Sequence, residues 1–300
     1  VISVDSPIDD KVRSAMESLI EDYEHVLSRF RNDSLIAAIG KAEHGGSFDF
    51  PDWCAPLFDL YDALFSATSG AIDPCVGEDL IRLGYDASLS FTVTQDAPEH
   101  LGALRGRAVW GRDVTRHGTT LVTHEPVQLD FGACGKGYLV DLLGRMLQSS
   151  QFVIDAGGDL LIHAEQPISV ALEDPEDQSH AIGIAHIANG ALCASAPSRR
   201  HWNVAVNERT QIAIHHLLNA IDGLPAQQTE ASWAYIPANA TLNLARDYPT
   251  AVADGLATAL FVSDVAQLQR TFDFTYATLD ESRQIAVSRN FPADLFLRSA

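Results

Sequence analysis

The stretch Ile182-Gly183-Ile184-Ala185-His186-Ile187-Ala188-Asn189-Gly190-Ala191-Leu192-Cys193-Ala194-Ser195 holds two apolar runs, 182–187 and 191–195, around Asn189-Gly190. Asn-Gly suits the two positive φ angles of a type I′ turn, so the stretch reads as a β-hairpin. A second pair of runs, 274–279 and 285–287, flanks Asp280-Glu281-Ser282 and reads as a late hairpin. Phe152 to Asp155 is a short apolar strand leading into Gly157-Gly158, and 212–218 and 233–236 carry further strand signals. Helical spacing alternates with these runs. Val12, Met16, Leu19, Ile20, Tyr23, Val26 and Leu27 recur at that spacing after Ser6-Pro7. Other helices are predicted from about Trp53 to Thr68 with Gly70 as left-handed exit, from near Gly137 through Met146, and over 252–261. Hairpins with interspersed helices predict an α+β fold with mixed, largely antiparallel sheets, not a doubly wound parallel sheet. No repeat or Pro/Ser linker divides the chain. One domain over 1–300 is expected, with two intimately packed lobes as its alternative organisation.

With 40 acidic against 20 basic residues the formal charge is -20, which argues against a nucleic-acid partner, since phosphate neutralisation needs clustered Lys and Arg. A phosphorylated small molecule is still compatible, given a cation, backbone amides or a few well-placed bases. No apolar run reaches the roughly 18 residues of a membrane span. The start, Val1-Ile2-Ser3-Val4, has no initiator Met and neither a charged n-region nor an h-region, so the natural N-terminus is expected upstream, together with any export signal. Cys54, Cys75, Cys134 and Cys193 lie far apart without a CxxC pair, which reads as buried free thiols rather than a zinc site. Such thiols point to a reducing, cytoplasmic compartment.

Four segments carry candidate chemistry. LDFGACGKGYLVD at 129–141 places Gly132, Gly135 and Gly137 before a helix, where a backbone can approach an anion at the helix N-terminus. Its GxxGxG spacing is not the dinucleotide fingerprint, and Lys136 is followed by Gly, which excludes a P-loop. On physics alone, a structural turn and a ligand loop both fit. DAGGD at 155–159 is a tight turn whose carboxylates, Asp155 and Asp159, either face a ligand or cap the turn. In a strand, His215 and His216 face opposite sides, so one of them at most enters a given site. Asp254 and Thr258 in ADGLATALF at 253–261 are four apart and share a helix face, a hard-oxygen corner suited to magnesium.

In order and separation these segments resemble the ApbE-type FAD:protein FMN transferases. HLLNAIDGLP at 216–225, Ser28-Arg29-Phe30 with Asp33-Ser34, SGAIDPCVG at 69–77 and Ile168-Ser169-Val170 with Glu173-Asp174-Pro175 fit the same family pattern. The likeness spans nearly the whole chain. It implies an enzyme that uses Mg2+ to cleave FAD and attaches FMN to a threonine of an acceptor flavoprotein, releasing AMP. An FAD pyrophosphatase giving FMN and AMP, or a flavin-binding protein without catalysis, are the alternatives it leaves. The metal ligands it implies are Asp254, Thr258 and a backbone carbonyl from about Gly135. His216 is implied as the proton-transfer residue. Gly132, Gly135, Lys136, Gly137, Asp155, Gly157, Gly158 and Asp159, with His216, are implied to hold the flavin nucleotide. Much of the family is lipid-anchored or periplasmic, which sets the cell envelope beside the cytoplasm as a location.

The chain also departs from the pattern. The family's S-E-L-S-x-L-N is Ser34-Leu35-Ile36-Ala37-Ala38-Ile39-Gly40, the Thr of its F-D-P-T is Cys75, and the Asn of its N-A-G-G-D is Asp155. Ala220-Ile221-Asp222 replaces its P-R-T, and Cys193-Ala194-Ser195-Ala196 its A-T-S-G. Asp155 brings an extra carboxylate to the implied flavin wall, where it is expected to weaken FAD binding at low magnesium.

Overall fold

The longest strands, Asp159–Glu173 and Ala181–Ser195, pair antiparallel and form the centre of an eight-stranded sheet. The order runs Ile2–Val4, Phe152–Asp155, Asp159–Glu173, Ala181–Ser195, Thr229–Pro237, Thr275–Asp280, Ile285–Val287. Ala293–Leu295 also pairs with Ala181–Ser195, and every ladder in this sheet is antiparallel. The computed structural model describes residues 1–149, 151–207 and 210–296, and the side chains of 205–212 are outside that description.

The chain divides into two compact units. Val1–Ser18, Ala133–Ser198 and Gln227–Ala300 form the first, Leu19–Gly132 and Arg199–Ala226 the second.

The expected hairpin at Asn189-Gly190 is not there. Both residues lie inside the continuous strand Ala181–Ser195. His163 pairs with Asn189 and Ile162 with Gly190, but the next pair is Ile168 with Ile187, so 164–167 bulge out of the neighbouring strand. The Asn189 side chain donates to the Ala164 carbonyl inside that bulge at 3.1 Å, and its own carbonyl accepts from Tyr235 Oη at 2.9 Å. Gly190 has φ +135°, and a β-carbon there would meet Ile236 O at 2.4 Å. The dipeptide thus serves a bulge and a close strand approach, the other setting that favours glycine in a sheet. The late hairpin is where the sequence puts it, closed by Asp280 Oδ1 accepting from the Ser282 amide at 2.8 Å.

Strand alternation sorts the first unit's sheet into two faces. Ala231 and Trp233 join Ile162, Leu172, Ile187, Leu192, Leu279 and Phe291 in an apolar core. Ser232, between them, turns the other way and donates to Ala257 O at 2.6 Å, which ties the helix Pro249–Ala259 to the opposite face. The helix Gly135–Gly144 follows it there, with Gly144 so close to Leu161 that a β-carbon would lie 2.7 Å from Leu161 Cδ2. Full burial of each Leu, Ile or Phe in such a core contributes about 1.5–3 kcal/mol.

In the second unit the helix Ala55–Ala67 buries Leu57, Phe58, Leu60, Tyr61 and Leu64. Phe58 and Tyr61 pack on Phe131 with ring centroids 5.5 and 5.2 Å apart. The strands Gly46–Asp49, Thr120–Thr123 and Val114–His117 form an antiparallel sheet in that order. A second cluster gathers Leu80, Leu83, Tyr85, Leu101, Trp202, Ile214 and Leu218. Arg107 lies fully buried with its Nε 2.8 Å from Asp79 and Nη1 3.5 Å from Asp73, and donates to Ala220 O at 2.6 Å. The run predicted as strand 212–218 is interrupted: Thr210–His215 is strand, the chain bends at His216, and Leu218 opens a second short strand, Leu218–Asn219. All four cysteines are buried and none is in a disulfide. Among the described residues no helix is long and apolar enough to cross a membrane.

Candidate functional site

Two helices of the first unit build the polar site. The Gly137 amide donates to Asp254 Oδ2 at 2.9 Å. One turn along each helix, Asp141 accepts from the Thr250 and Ala251 amides at 3.1 and 2.8 Å. Pairing 137 with 254 and 141 with 250 makes the helices antiparallel. The missing side chain at 137 permits it, because a β-carbon there would meet Thr250 O at 2.4 Å and Asp254 Cβ at 2.9 Å. Asp141 supplies acceptors for the first-turn amides of Pro249–Ala259, which no intrahelical carbonyl can serve.

Asp254 is 4% exposed, and burial pushes its carboxyl up to about 6, against the pull of Lys136 and the Gly137 amide. Asp141 is likewise pushed up to about 7 by burial, opposed by the amides it accepts from. Thr258, one turn beyond Asp254, directs its hydroxyl to the Ala133 carbonyl at 3.4 Å, in the turn that leads to Gly135. Gly135 is the first residue of its helix. Lys136 pairs with Asp159 Oδ2. The Asp159 side chain is completely buried and its Oδ1 has no hydrogen-bond partner. Lys136, Gly137, Asp159, Asp254 and Thr258 are thus brought together through these contacts. Carboxylate, hydroxyl and carbonyl oxygens form a hard donor set of the kind magnesium takes. Among the described residues no three His, Cys, Asp or Glu side chains assemble at metal-holding distance, so such a site would draw on at most two of them and on hydroxyl and carbonyl oxygens for the rest.

Asp155 lies on the neighbouring turn. Its Oδ1 accepts from the Gly157 amide at 2.8 Å and the Gly158 amide at 3.4 Å, and the two glycines have φ +73° and +111°. The carboxylate braces its own turn, as an Asx-turn does.

Gly132 and the histidines belong to the second unit. Asp130 Oδ1 accepts from the Gly132 amide at 2.6 Å while Oδ2 pairs with Arg29, whose Nη1 donates to Tyr85 O at 2.6 Å. His215 uses both ring nitrogens: Nε2 lies 2.9 Å from Ala226 O, and Nδ1 accepts from the Leu217 amide at 3.3 Å. His216 places Nδ1 3.2 Å from Arg200 O. A carbonyl only accepts, so Nδ1 carries the proton and Nε2 the lone pair. Burial, helped by the charge of Arg200, lowers the His216 pKa to about 4, so the ring is neutral at pH 7. The sequence reading gave no role to Asp141. Its signal was available, since it stands four residues after Gly137 and shares its helix face.

The profile of the ApbE family matches residues 1–278. A protein of Klebsiella pneumoniae (strain 342) named FAD:protein FMN transferase is 23% identical over 274 residues, covering 87% of this chain and 74% of its own. One of Treponema pallidum (strain Nichols) with the same name is 27% identical over 286 residues, covering 84% and 72%. Among solved structures, the ApbE protein of Thermotoga maritima superposes with a TM-score of 0.78 at 19% identity, covering 98% of this chain and 94% of that one. The flavin transferase ApbE of Vibrio cholerae gives 0.75 at 16% identity, covering 97% and 93%. At such identities the structures speak for the fold, α+β with antiparallel sheets.

Proposed function

The chain belongs to the ApbE family, and from that premise we propose that it is a FAD:protein FMN transferase acting on a threonine of an acceptor flavoprotein. The observation that carries this reading is the pairing of Gly137 with Asp254, with Thr258 one turn on, which sets one carboxylate and one hydroxyl at the N-terminus of the helix Gly135–Gly144. The two relatives named FAD:protein FMN transferase support it.

In this reading Asp254, Thr258 and a carbonyl of the 133–135 turn hold Mg2+. When bound, the ion supplies positive charge to the FAD pyrophosphate. Lys136 and the amides at the helix N-terminus add to the same field and favour phosphate oxygens there. The acceptor threonine oxygen attacks the phosphorus of the FMN half, the bond from that phosphorus to the bridging oxygen breaks, and AMP leaves with that oxygen. His216, whose Nε2 the Arg200 carbonyl leaves as the acceptor, is the candidate base for the hydroxyl proton.

The test is incubation with FAD, Mg2+ and an acceptor flavoprotein, followed by mass spectrometry of the acceptor and chromatography of the nucleotides. The expected result is FMN on a threonine and one AMP per modification. FMN and AMP with an unmodified acceptor would make the chain a pyrophosphatase, and bound flavin without AMP would make it a flavin-binding protein.

A further inference from the structure

Lys136 occupies an unfavourable place. As the second residue of the helix Gly135–Gly144, it sets a positive charge against the positive end of the helix dipole. Its side chain is 46% exposed yet reaches inward to Asp159, which is completely buried. Asp254 lies beside it as well, accepting at 2.9 Å from the amide of the next residue, Gly137. Two buried carboxylates, Asp159 and Asp254, therefore share one ammonium, and the second oxygen of Asp159 remains unsatisfied. Buried carboxylates need a counter-charge.

We propose that Lys136 is an internal counter-ion, standing in for the divalent cation whenever none is bound, so that metal binding works against it. The proposal rests on the metal reading of Asp254 and Thr258 given above. With Asp159, Asp254 and Lys136 charged, the cluster carries one net negative charge, and a divalent cation turns this to one net positive charge. Lys136 then gains nothing from the Asp254 side, and its exposed stem allows it to turn toward an anionic ligand. The ammonium thus stabilises the protein without metal more than the protein with it.

Titration calorimetry with Mg2+ and with Mn2+, on wild type, Lys136→Met, Lys136→Arg, Asp159→Asn and Asp254→Ala, tests this, together with thermal unfolding in EDTA and in saturating Mg2+. Lys136→Met should bind metal more tightly, on the order of tenfold, the scale expected when a unit charge beside a divalent ion is removed. Its midpoint should fall more in EDTA than in Mg2+. Lys136→Arg should stay near wild type, and Asp159→Asn should bind metal more weakly, because it removes the carboxylate that shares the ammonium. Unchanged or weaker metal binding by folded Lys136→Met, or equal losses of midpoint in the two buffers, would overturn the proposal and leave Lys136 a structural ion-pair partner. Should Lys136→Met not fold, Asp159→Asn decides: metal affinity at or above wild type overturns the proposal. No metal binding by wild type, or wild-type binding by Asp254→Ala, would instead remove the metal site itself, and the counter-ion with it.

Discussion

Gly137 and Asp254 face each other across two antiparallel helices, amide to carboxylate at 2.9 Å, with no room for a side chain on the glycine. The contact does two things. It satisfies an amide of the first helical turn, and it aims a carboxylate held by main chain at the helix's positive end.

Substituting Gly137→Ala should therefore cost both stability and ligand binding. The added methyl group would lie 2.4 Å from Thr250 O, and backbone there cannot swing aside. Overpacking of this kind costs about 1–3 kcal/mol. Urea unfolding would show a lower midpoint at unchanged m-value, and metal titration a weaker site. Wild-type values in both would mean that the helices separate freely.

Asp254→Asn separates chemistry from folding. Burial already disfavours the ionised carboxyl, so a neutral isostere should leave the midpoint in EDTA equal to or above wild type. The stabilisation that magnesium gives the wild type should vanish, and AMP release should fall by at least about a hundredfold, the scale for losing one electrostatic contributor. Retained magnesium stabilisation would put the ligand elsewhere.

The two adjacent histidines should behave unlike each other. His216→Ala should lose about 10²–10⁴ in kcat with a small change in FAD affinity, and added imidazole should restore part of it. His215→Ala should lower thermal stability instead, since both of its nitrogens are engaged by backbone. Interchanged outcomes would assign proton transfer to His215.

The Arg107 group predicts a pH dependence in the second unit. Burial pushes the Asp79 carboxyl up to about 6, against the pull of Arg107. A carboxyl raised in the folded state binds its proton more tightly there than in the unfolded chain. Its contribution to stability is complete below about pH 4 and is lost as pH rises through about 6. His216, lowered to about 4, works in the opposite sense between 4 and its unfolded value. The informative quantity is therefore the difference between wild type and Asp79→Asn, whose midpoints should drift apart between pH 4 and 6; parallel profiles would contradict the assignment. Arg107→Met, which leaves Asp73 and Asp79 buried without their counter-charge, should cost about 3–5 kcal/mol at neutral pH.

Local patterns made the elements legible. The periodicity beginning at Val12 marks the helix Asp10–Leu27, and the runs 152–155 and 285–287 are strands at those boundaries. Motif order singled out Asp254 and Thr258 as metal ligands and Lys136 as part of the flavin wall, and the structure brings the three segments together. Long-range registers were not legible. Nothing near Asn189-Gly190 announces a bulge in the strand beside it or the approach of Ile236, so the dipeptide reads locally as a turn. Arg107 stands in Gly106-Arg107-Ala108, where no period or motif signals that Asp73 and Asp79 will enclose it. Asp155 shows the same limit at the scale of one side chain. A carboxylate beside two glycines fits a ligand wall or a turn, and the Gly157 amide shows that its Oδ1 serves the turn.

The segment 133–137, a turn running into a helix, contributes peptide groups: the Ala133 carbonyl toward Thr258 and the Gly137 nitrogen toward Asp254. Peptide groups are not spelled by codons. Mutational drift can rewrite Ala133-Cys134-Gly135 without deleting a carbonyl, whereas a single base change removes Asp254. Heredity therefore guards this end of the molecule unevenly. Its letters are free to wander wherever the main chain does the holding, and the positions to watch when tracing its descent are the few at which a side chain, or the lack of one at Gly137, has no substitute.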